Sequence, residues 1–229
     1  MAKSKNYSQK ENRYRIKITK NGPYLVSGGA PLSEQSMCVD TEEQCHGWKE
    51  GKKYPAPKNY ALCRCGHSQN KPFCDGSHLK VKFDGTEKAD RSPYLEQAGA
   101  INGPGLKLTD AENFCAGARF CHRAGGVWKL TEESGNPDAR QKAIEEACDC
   151  PSGRLVIWDQ NGKAIEPDLK PSIGLVKDTQ TGKMGPLWVR GGIPVESADG
   201  TTYEVRNRIT LCRCGKSAHK PFCDGRHSK

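Results

Sequence analysis

The 229-residue sequence predicts an α+β, β-rich fold: two pseudo-symmetric β modules with a small α+β segment inserted between them. Three observations carry that reading. The stretch from Cys63 to His78, CRCGHSQNKPFCDGSH, recurs from Cys212 to His227 as CRCGKSAHKPFCDGRH, identical at 12 of 16 positions, and an internal repeat of this kind marks repeated structural units. Upstream of each copy lies a second matched pair: Gly22-Pro23-Tyr24-Leu25-Val26-Ser27-Gly28-Gly29-Ala30-Pro31 corresponds in order and type to Gly185-Pro186-Leu187-Trp188-Val189-Arg190-Gly191-Gly192-Ile193-Pro194. Finally, 25 Gly and 14 Pro in a chain only 34% hydrophobic break the sequence too often for long helices around one large core.

The elements follow in chain order. Residues 1–20 form a basic N-terminal arm, with seven Lys or Arg against one Glu, expected to be solvated or to dock an acidic partner. Residues 21–89 are the first β module: a strand, the Gly-Gly-x-Pro bend, a polar excursion read as a loop, and a second strand entering the cysteines. The interval from Pro31 to Cys63 is 14 residues longer than that from Pro194 to Cys212 (32 against 18). Residues 90–165 are the inserted α+β segment. Thr109-Asp110-Ala111-Glu112 has the form of a capping box opening a short helix through Phe114 and Ala118, with Gly125-Gly126 ending it. Asn136-Pro137 opens a second helix, with Ala139, Ala143, Ile144 and Ala147 on one side, stopped by Pro151. Leu155 to Trp158 reads as a buried strand turning at Asn161-Gly162. Residues 166–229 repeat the β module, and Thr202 to Leu211 alternates as a strand after the Asp199-Gly200 turn. Trp128, Trp158 and Trp188 sit on apolar stretches read as strands and are expected in the core.

Composition excludes several classes of function. No apolar run is long enough for a membrane-spanning helix, and the first twenty residues lack the apolar middle of a secretory signal, so a cytoplasmic location is expected. A formal net charge of +9 favours acidic partners without arguing for nucleic acid. Twelve cysteines in a reducing compartment point to metal or cluster ligation rather than to disulfides.

Each repeat holds three thiols and one imidazole within 16 residues, Cys63, Cys65, Cys74 and His78 in the first and Cys212, Cys214, Cys223 and His227 in the second. Three Cys and one His also make an ordinary structural zinc site, though zinc usually takes its cysteines as C-x2-C knuckles, whereas both pairs here are C-x-C. Pro72 and Pro221 stiffen the loop before the third cysteine, and Asp75 and Asp224 read as caps of a short turn carrying the histidine. Lys71 and Lys220 are placed where a cation could tune that histidine. The two stretches resemble the CDGSH iron-sulfur (NEET) family, whose pattern the first fits throughout and the second fits except at Arg226. The resemblance implies one 2Fe-2S cluster per motif, a β-rich fold and sites paired about a twofold axis, here within one chain, as a monomer or a homodimer. With three thiolates and a neutral imidazole around an oxidised core of charge +2, the net charge is one unit less negative than with four thiolates. The potential then falls between plant-type ferredoxins and Rieske centres, and the free imidazole nitrogen couples reduction to proton uptake.

In the middle segment, Cys115 and Cys121 followed by Cys150-Pro151-Ser152-Gly153 resemble divergent single-cluster ferredoxins. A third cluster, 3Fe-4S or 4Fe-4S, is expected on Cys115, Cys121 and Cys150, with Cys148 or His122 as the fourth ligand; the alternative is that these are small buried residues. On a continuous helix Cys115 and Cys121 would point ~120° apart, so the chain must unwind near Gly117. Cys38, Cys45 and His46 match no defensible site. No nucleophile elbow, phosphate loop or dinucleotide fingerprint accompanies these residues. The expected function is therefore electron transfer, or iron-sulfur cluster storage and transfer, toward a redox partner or an apo-acceptor protein. A structural zinc module and a redox enzyme using the middle cluster are the competing readings.

Overall fold

The computed structural model describes residues 13–39 and 44–228. The strands are β1 (Arg15–Ile18), β2 (Tyr24–Ser27), β3 (Leu32–Val39), β4 (Cys45–Tyr54), β5 (Asn59–Leu62), β6 (Gly99–Asn102), β7 (Lys107–Asp110), β8 (Leu155–Trp158), β9 (Ala164–Ile165), β10 (Ser172–Lys177), β11 (Met184–Arg190), β12 (Val195–Glu196) and β13 (Arg208–Leu211). The helices are α1 (Ser77–Lys80), α2 (Tyr94–Gln97), α3 (Val127–Glu132) and α4 (Pro137–Asp149).

The β modules are not side by side but interlaced. One sheet has the order β12-β1-β2-β5 and the other β13-β11-β10-β3-β4. After the Gly28-Gly29 bend the first module sends β3 into the second module's sheet, parallel to β10 with Ile173 opposite Leu32. After Gly191-Gly192 the second module returns β12 to the first sheet, parallel to β1 with Ile16 opposite Val195. Strands β1, β2, β3 and β5 thus have β10, β11, β12 and β13 as counterparts. The inner faces share one core in which Ile16, Ile18, Tyr24, Leu62, Ile173, Leu175, Leu187 and Leu211 are essentially inaccessible. Each such side chain contributes roughly 1.5–3 kcal/mol by leaving water, so neither module keeps its core without the other.

Several expectations are corrected here. The excursion is not a loop: β3 and β4 form a hairpin with Met37 opposite Trp48. Its buried positions on one face include Ser33 and Gln35, with the Gln35 amide donating to Ser33 Oγ at 3.0 Å, and polar residues on a buried face erase the usual alternation. Residues 1–12 of the basic arm lie outside the described residues, but Arg15–Ile18 is β1, with Ile16 and Ile18 fully buried. The alternating stretch 202–211 is a strand only from Arg208, with all four residues buried.

In the middle segment, β6, β7, β8 and β9 form an antiparallel sheet. Leu155 and Ile157 face α3 and α4, while Val156 and Trp158 face the common core. The capping-box helix is absent. Thr109 and Asp110 end β7, where Thr109 Oγ1 accepts from Trp158 Nε1 at 2.9 Å and Asp110 takes both Arg154 nitrogens at 2.5 and 2.7 Å; only short 3-10 turns, Glu112–Phe114 and Phe120–Gly125, follow. Trp128 lies on α3, not on a strand. Helix α4 starts as expected, Asn136 Oδ1 accepting from the Asp138 amide at 2.8 Å.

Glu146 of α4 is 1% exposed, and neither of its oxygens has a hydrogen-bond partner among the described residues. Burial raises its carboxyl to about 7, against the opposing pull of Arg123. Because the unfolded chain gives up this proton at lower pH than the folded one, stability falls as pH rises between the two values and stays reduced above them. Glu146→Gln is expected to stabilise the protein by about 2–3 kcal/mol at pH 8 and hardly at all below pH ~4.5. Thermal unfolding at both pH values checks this; an equal gain at both would place the carboxyl in water.

Candidate metal centres

Each C-x-C pair is delivered by the last strand of its module. Cys63 follows β5 and its amide donates to Pro72 O at 2.8 Å, while the Cys74 amide donates to Ala61 O at 2.9 Å. Cys212 follows β13 with matching bonds, to Pro221 O at 2.8 Å and from Cys223 to Thr210 O at 3.0 Å. Inside each loop a serine hydroxyl, Ser68 or Ser217, donates to the carbonyl of Phe73 or Phe222 at 2.6 or 2.7 Å. The motif aspartates tie the two halves together: Asp75 accepts from the amides of Gln69 and Ser77 at 2.8 and 2.9 Å, and Asp224 from Ala218 and Arg226 at 2.8 and 3.2 Å. The Ser77 hydroxyl, and then these amides, hold the Asp75 carboxyl well below the usual carboxylate range.

The donors gather in pairs. Cys63 Sγ and Cys65 Sγ are 3.8 Å apart, and Cys74 Sγ is 3.4 Å from His78 Nδ1. In the second motif the same separations are 3.7 and 3.3 Å. Two thiolates each about 2.3 Å from one tetrahedral metal lie roughly 3.8 Å apart, so each pair has the spacing of two ligands on a shared ion. Among the described residues no three His, Cys, Asp or Glu side chains gather around a single ion position. Nδ1 is the histidine nitrogen turned to the sulfur, while Nε2 faces the Gly-Pro bend: a side chain on Gly22 or Gly185 would lie 3.6 or 3.5 Å from it.

The two sites sit back to back through their C-x-C loops, where Gly66 rests on Cys214 and Gly215 on Cys65. They are not identical. Tyr24 of the first module donates to Cys212 O at 2.7 Å, a bond its counterpart Leu187 has no group to make. The Cys214 thiol, followed by the backbone amides of Ser217, Cys214 and Gly215, lowers Cys212 against its burial, whereas burial raises Cys65 and pushes Cys223 up to about 12. Burial and then Arg213 hold the His227 imidazole below its ordinary value. The neighbouring cations at this histidine are thus Arg213 and Lys183; the Lys220 ammonium instead donates to Ser217 O at 2.8 Å, and Lys71 is exposed. Arg226, the departure from the first motif, pairs with Asp224 at 3.3 Å.

Cys115, Cys121 and Cys150 do come together, lining one small pocket. The chain between the first two is unwound, with Gly117 at φ +73°. Burial and the neighbouring Cys150 push the Cys121 thiol up to about 12, opposed by Arg154. Cys148 does not join them: it lies on continuous α4 with its thiol toward Ile165 O at 3.8 Å. His122 packs on the Trp128 ring, centroids 5.4 Å apart. Cys45 is buried with Met37 and Phe120, and Cys38 and His46 lie on the flanking strands β3 and β4. The pocket adjoins the second motif, where Gly225 packs on the backbone of Cys115, Ala116 and Gly117.

Sequence reasoning passed over Arg64 and Arg213. Arg64 is 1% exposed and donates to Thr19 O at 3.2 Å and to Gly85 O; Arg213 donates to Gly185 O at 2.8 Å. Each guanidinium fastens its C-x-C loop, and their identity in both repeats was the available signal.

Comparison with known families agrees with this geometry. The iron-binding zinc finger of CDGSH type matches residues 21–79 and 184–228, and the divergent 4Fe-4S mono-cluster matches residues 101–160. No curated protein and no solved structure matches the chain. The fold and donor sets therefore define an iron-sulfur protein. More particularly, the chain carries two CDGSH-type motifs that flank a segment similar to the divergent 4Fe-4S mono-cluster family. Among the described residues no helix is long and apolar enough to cross a membrane.

Proposed function

We propose that Cys63, Cys65, Cys74 and His78, and likewise Cys212, Cys214, Cys223 and His227, each hold a 2Fe-2S cluster. Cys115, Cys121 and Cys150 hold a third cluster of three or four irons, and the protein serves one-electron transfer in the cytoplasm without catalysing a reaction of its own. The two-plus-two grouping of donors supports a binuclear cluster over mononuclear zinc, which gathers four donors around one centre. Bound clusters supply one-electron chemistry over a range of potentials set by charge and ligand type. The protein's own part is to hold Nδ1 of each histidine beside its sulfur and to leave Nε2 to carry a proton.

The observation that carries electron transfer over storage is the unbroken backbone packing of the three donor-bearing loops. Gly225 packs on Cys115–Gly117, and the Cys214-Gly215 loop packs on Cys65-Gly66, so the second motif stands between the middle segment and the first motif. Leu79 and Val81, 74% and 43% exposed beside His78, make the first motif the face offered to a protein partner, as redox acceptor or as apo-acceptor of a cluster.

Anaerobic purification with iron, acid-labile sulfide and zinc counted per chain tests the proposal. About seven or eight iron with matching sulfide is expected. About four iron would return Cys115, Cys121 and Cys150 to packing, and stoichiometric zinc without sulfide would overturn the redox reading.

A further inference from the structure

On the face of β3, β4, β10 and β11 turned away from the common core lies a groove of about 700 Å³, a size ordinary for small-molecule sites. It exists because the β3–β4 hairpin, which only the first module has, is laid against the second module's sheet. Side chains alternate across a strand, so while Leu187 and Val189 enter the core, Trp188 and Arg190 line the groove.

Its floor is polar although buried, with Ser33, Gln35 and Trp188 at 4%, 3% and 3% exposure. Two buried donors there, Trp188 Nε1 and Arg190 Nε, have no acceptor among the described residues. An unpaired buried N–H is costly, and a bound acceptor relieves it. The Trp48 and Trp188 rings are 4.5 Å apart at 40°, and the Arg190 guanidinium lies 4.8 Å from the Trp188 centroid. Trp48 is fixed by its Nε1 donating to Asp149 O at 3.0 Å. Three cations, Lys53, Lys170 and Arg190, line the groove against two carboxylates, Glu50 and Asp168, and Glu50 is already paired with Lys53 at 3.6 Å.

We infer that this groove binds a planar aromatic acid, its ring against Trp48 and its anionic group accepting from Arg190. Indole faces favour a flat π-system, and Arg favours a carboxylate or phosphate that matches its fork of donors. The Trp48 ring continues to Phe120 at 4.9 Å, and Phe120 lines the pocket of Cys115, Cys121 and Cys150. A ring bound in the groove therefore touches an aromatic row that ends at the middle site. The binding itself does not depend on what those cysteines hold.

Calorimetric titration of the intact protein with 2-naphthoate, 2-naphthamide and cyclohexanecarboxylate tests the inference. One-to-one binding of 2-naphthoate, tighter than either comparator by about tenfold, is expected. Arg190→Gln should reduce 2-naphthoate to the level of the amide and leave the amide unchanged, while Trp48→Phe should weaken both aromatic ligands and keep the iron content and visible spectrum. Absence of saturable 2-naphthoate binding, equal affinity for all three ligands, or an unchanged 2-naphthoate affinity in Arg190→Gln would each overturn it.

Discussion

Replacing His78 or His227 with Cys is expected to lower the potential of the altered site by on the order of 100–200 mV and to remove its dependence on pH. The exchange substitutes a thiolate for a neutral imidazole and makes the site one unit more negative, which opposes the incoming electron. The magnitude is about half the span between four-cysteine centres and the two-histidine centres of lowest potential. The pH dependence has a separate origin in Nε2. Reduction makes protonation of that nitrogen easier, so with histidine present the potential falls by up to about 59 mV per pH unit as pH rises between the oxidised and reduced values. At His227, burial, Arg213 and Lys183 disfavour the imidazolium against the opposing pull of Asp178 and Asp224, leaving its value below the ordinary one, so the sloping window of the second site lies correspondingly low in pH. Redox titration of each variant followed by electron paramagnetic resonance, at several pH values, measures both effects. Unchanged potentials and slopes in both variants would remove the histidines from the ligand sets.

How much of this was legible in the sequence depended on how local the cause was. The two donor-rich loops are legible because their thiols and imidazole lie within 16 residues of one another, and Asp75 and Asp224 cap the same loops through equally local bonds. Asn136-Pro137 is legible as the start of α4 because the Asn136 side chain caps amides only two and three residues on. What stayed hidden depends on residues far apart in the chain. The exchange of β3 and β12 pairs Leu32 with Ile173 and Ile16 with Val195, and no local pattern states which sheet a short strand joins. The β3 strand was missed because Ser33 and Gln35 occupy its buried face beneath the groove. The capping box failed because Arg154 and Trp158, more than forty positions away, claim Asp110 and Thr109. Cys148 was drawn into the middle site by its spacing, but an unbroken α4 turns it toward Ile165, while Cys150, at the helix end, is released into the pocket.

Gly66→Ala and Gly215→Ala should each damage both CDGSH sites, not only the one that carries the substitution. Both glycines have left-handed backbone, φ +83° and +78°, and a methyl group on either would lie 2.6 Å from the carbonyl oxygen of Cys214 or Cys65 in the opposing loop. Strain at the left-handed position costs roughly 1–2 kcal/mol, and forcing backbone apart in a packed contact adds about 1–3 kcal/mol. Gly200 isolates the first contribution: its φ is +91° and nothing lies within 4 Å of an added Cβ. Gly200→Ala should therefore lower the melting temperature by only a few degrees, and Gly66→Ala by roughly two to three times as much. What gives way in the second case is the backbone of a ligand cysteine in the other module, so Gly66→Ala should broaden the paramagnetic signal and speed the loss of iron at the Cys212–His227 site. The double variant should cost less than the sum of the single ones, because once the two loops have separated the second methyl meets less resistance. A Gly66→Ala melting temperature equal to that of Gly200→Ala, with the second site unaltered, would mean that the two loops do not touch and that the two motifs are linked only through their exchanged strands.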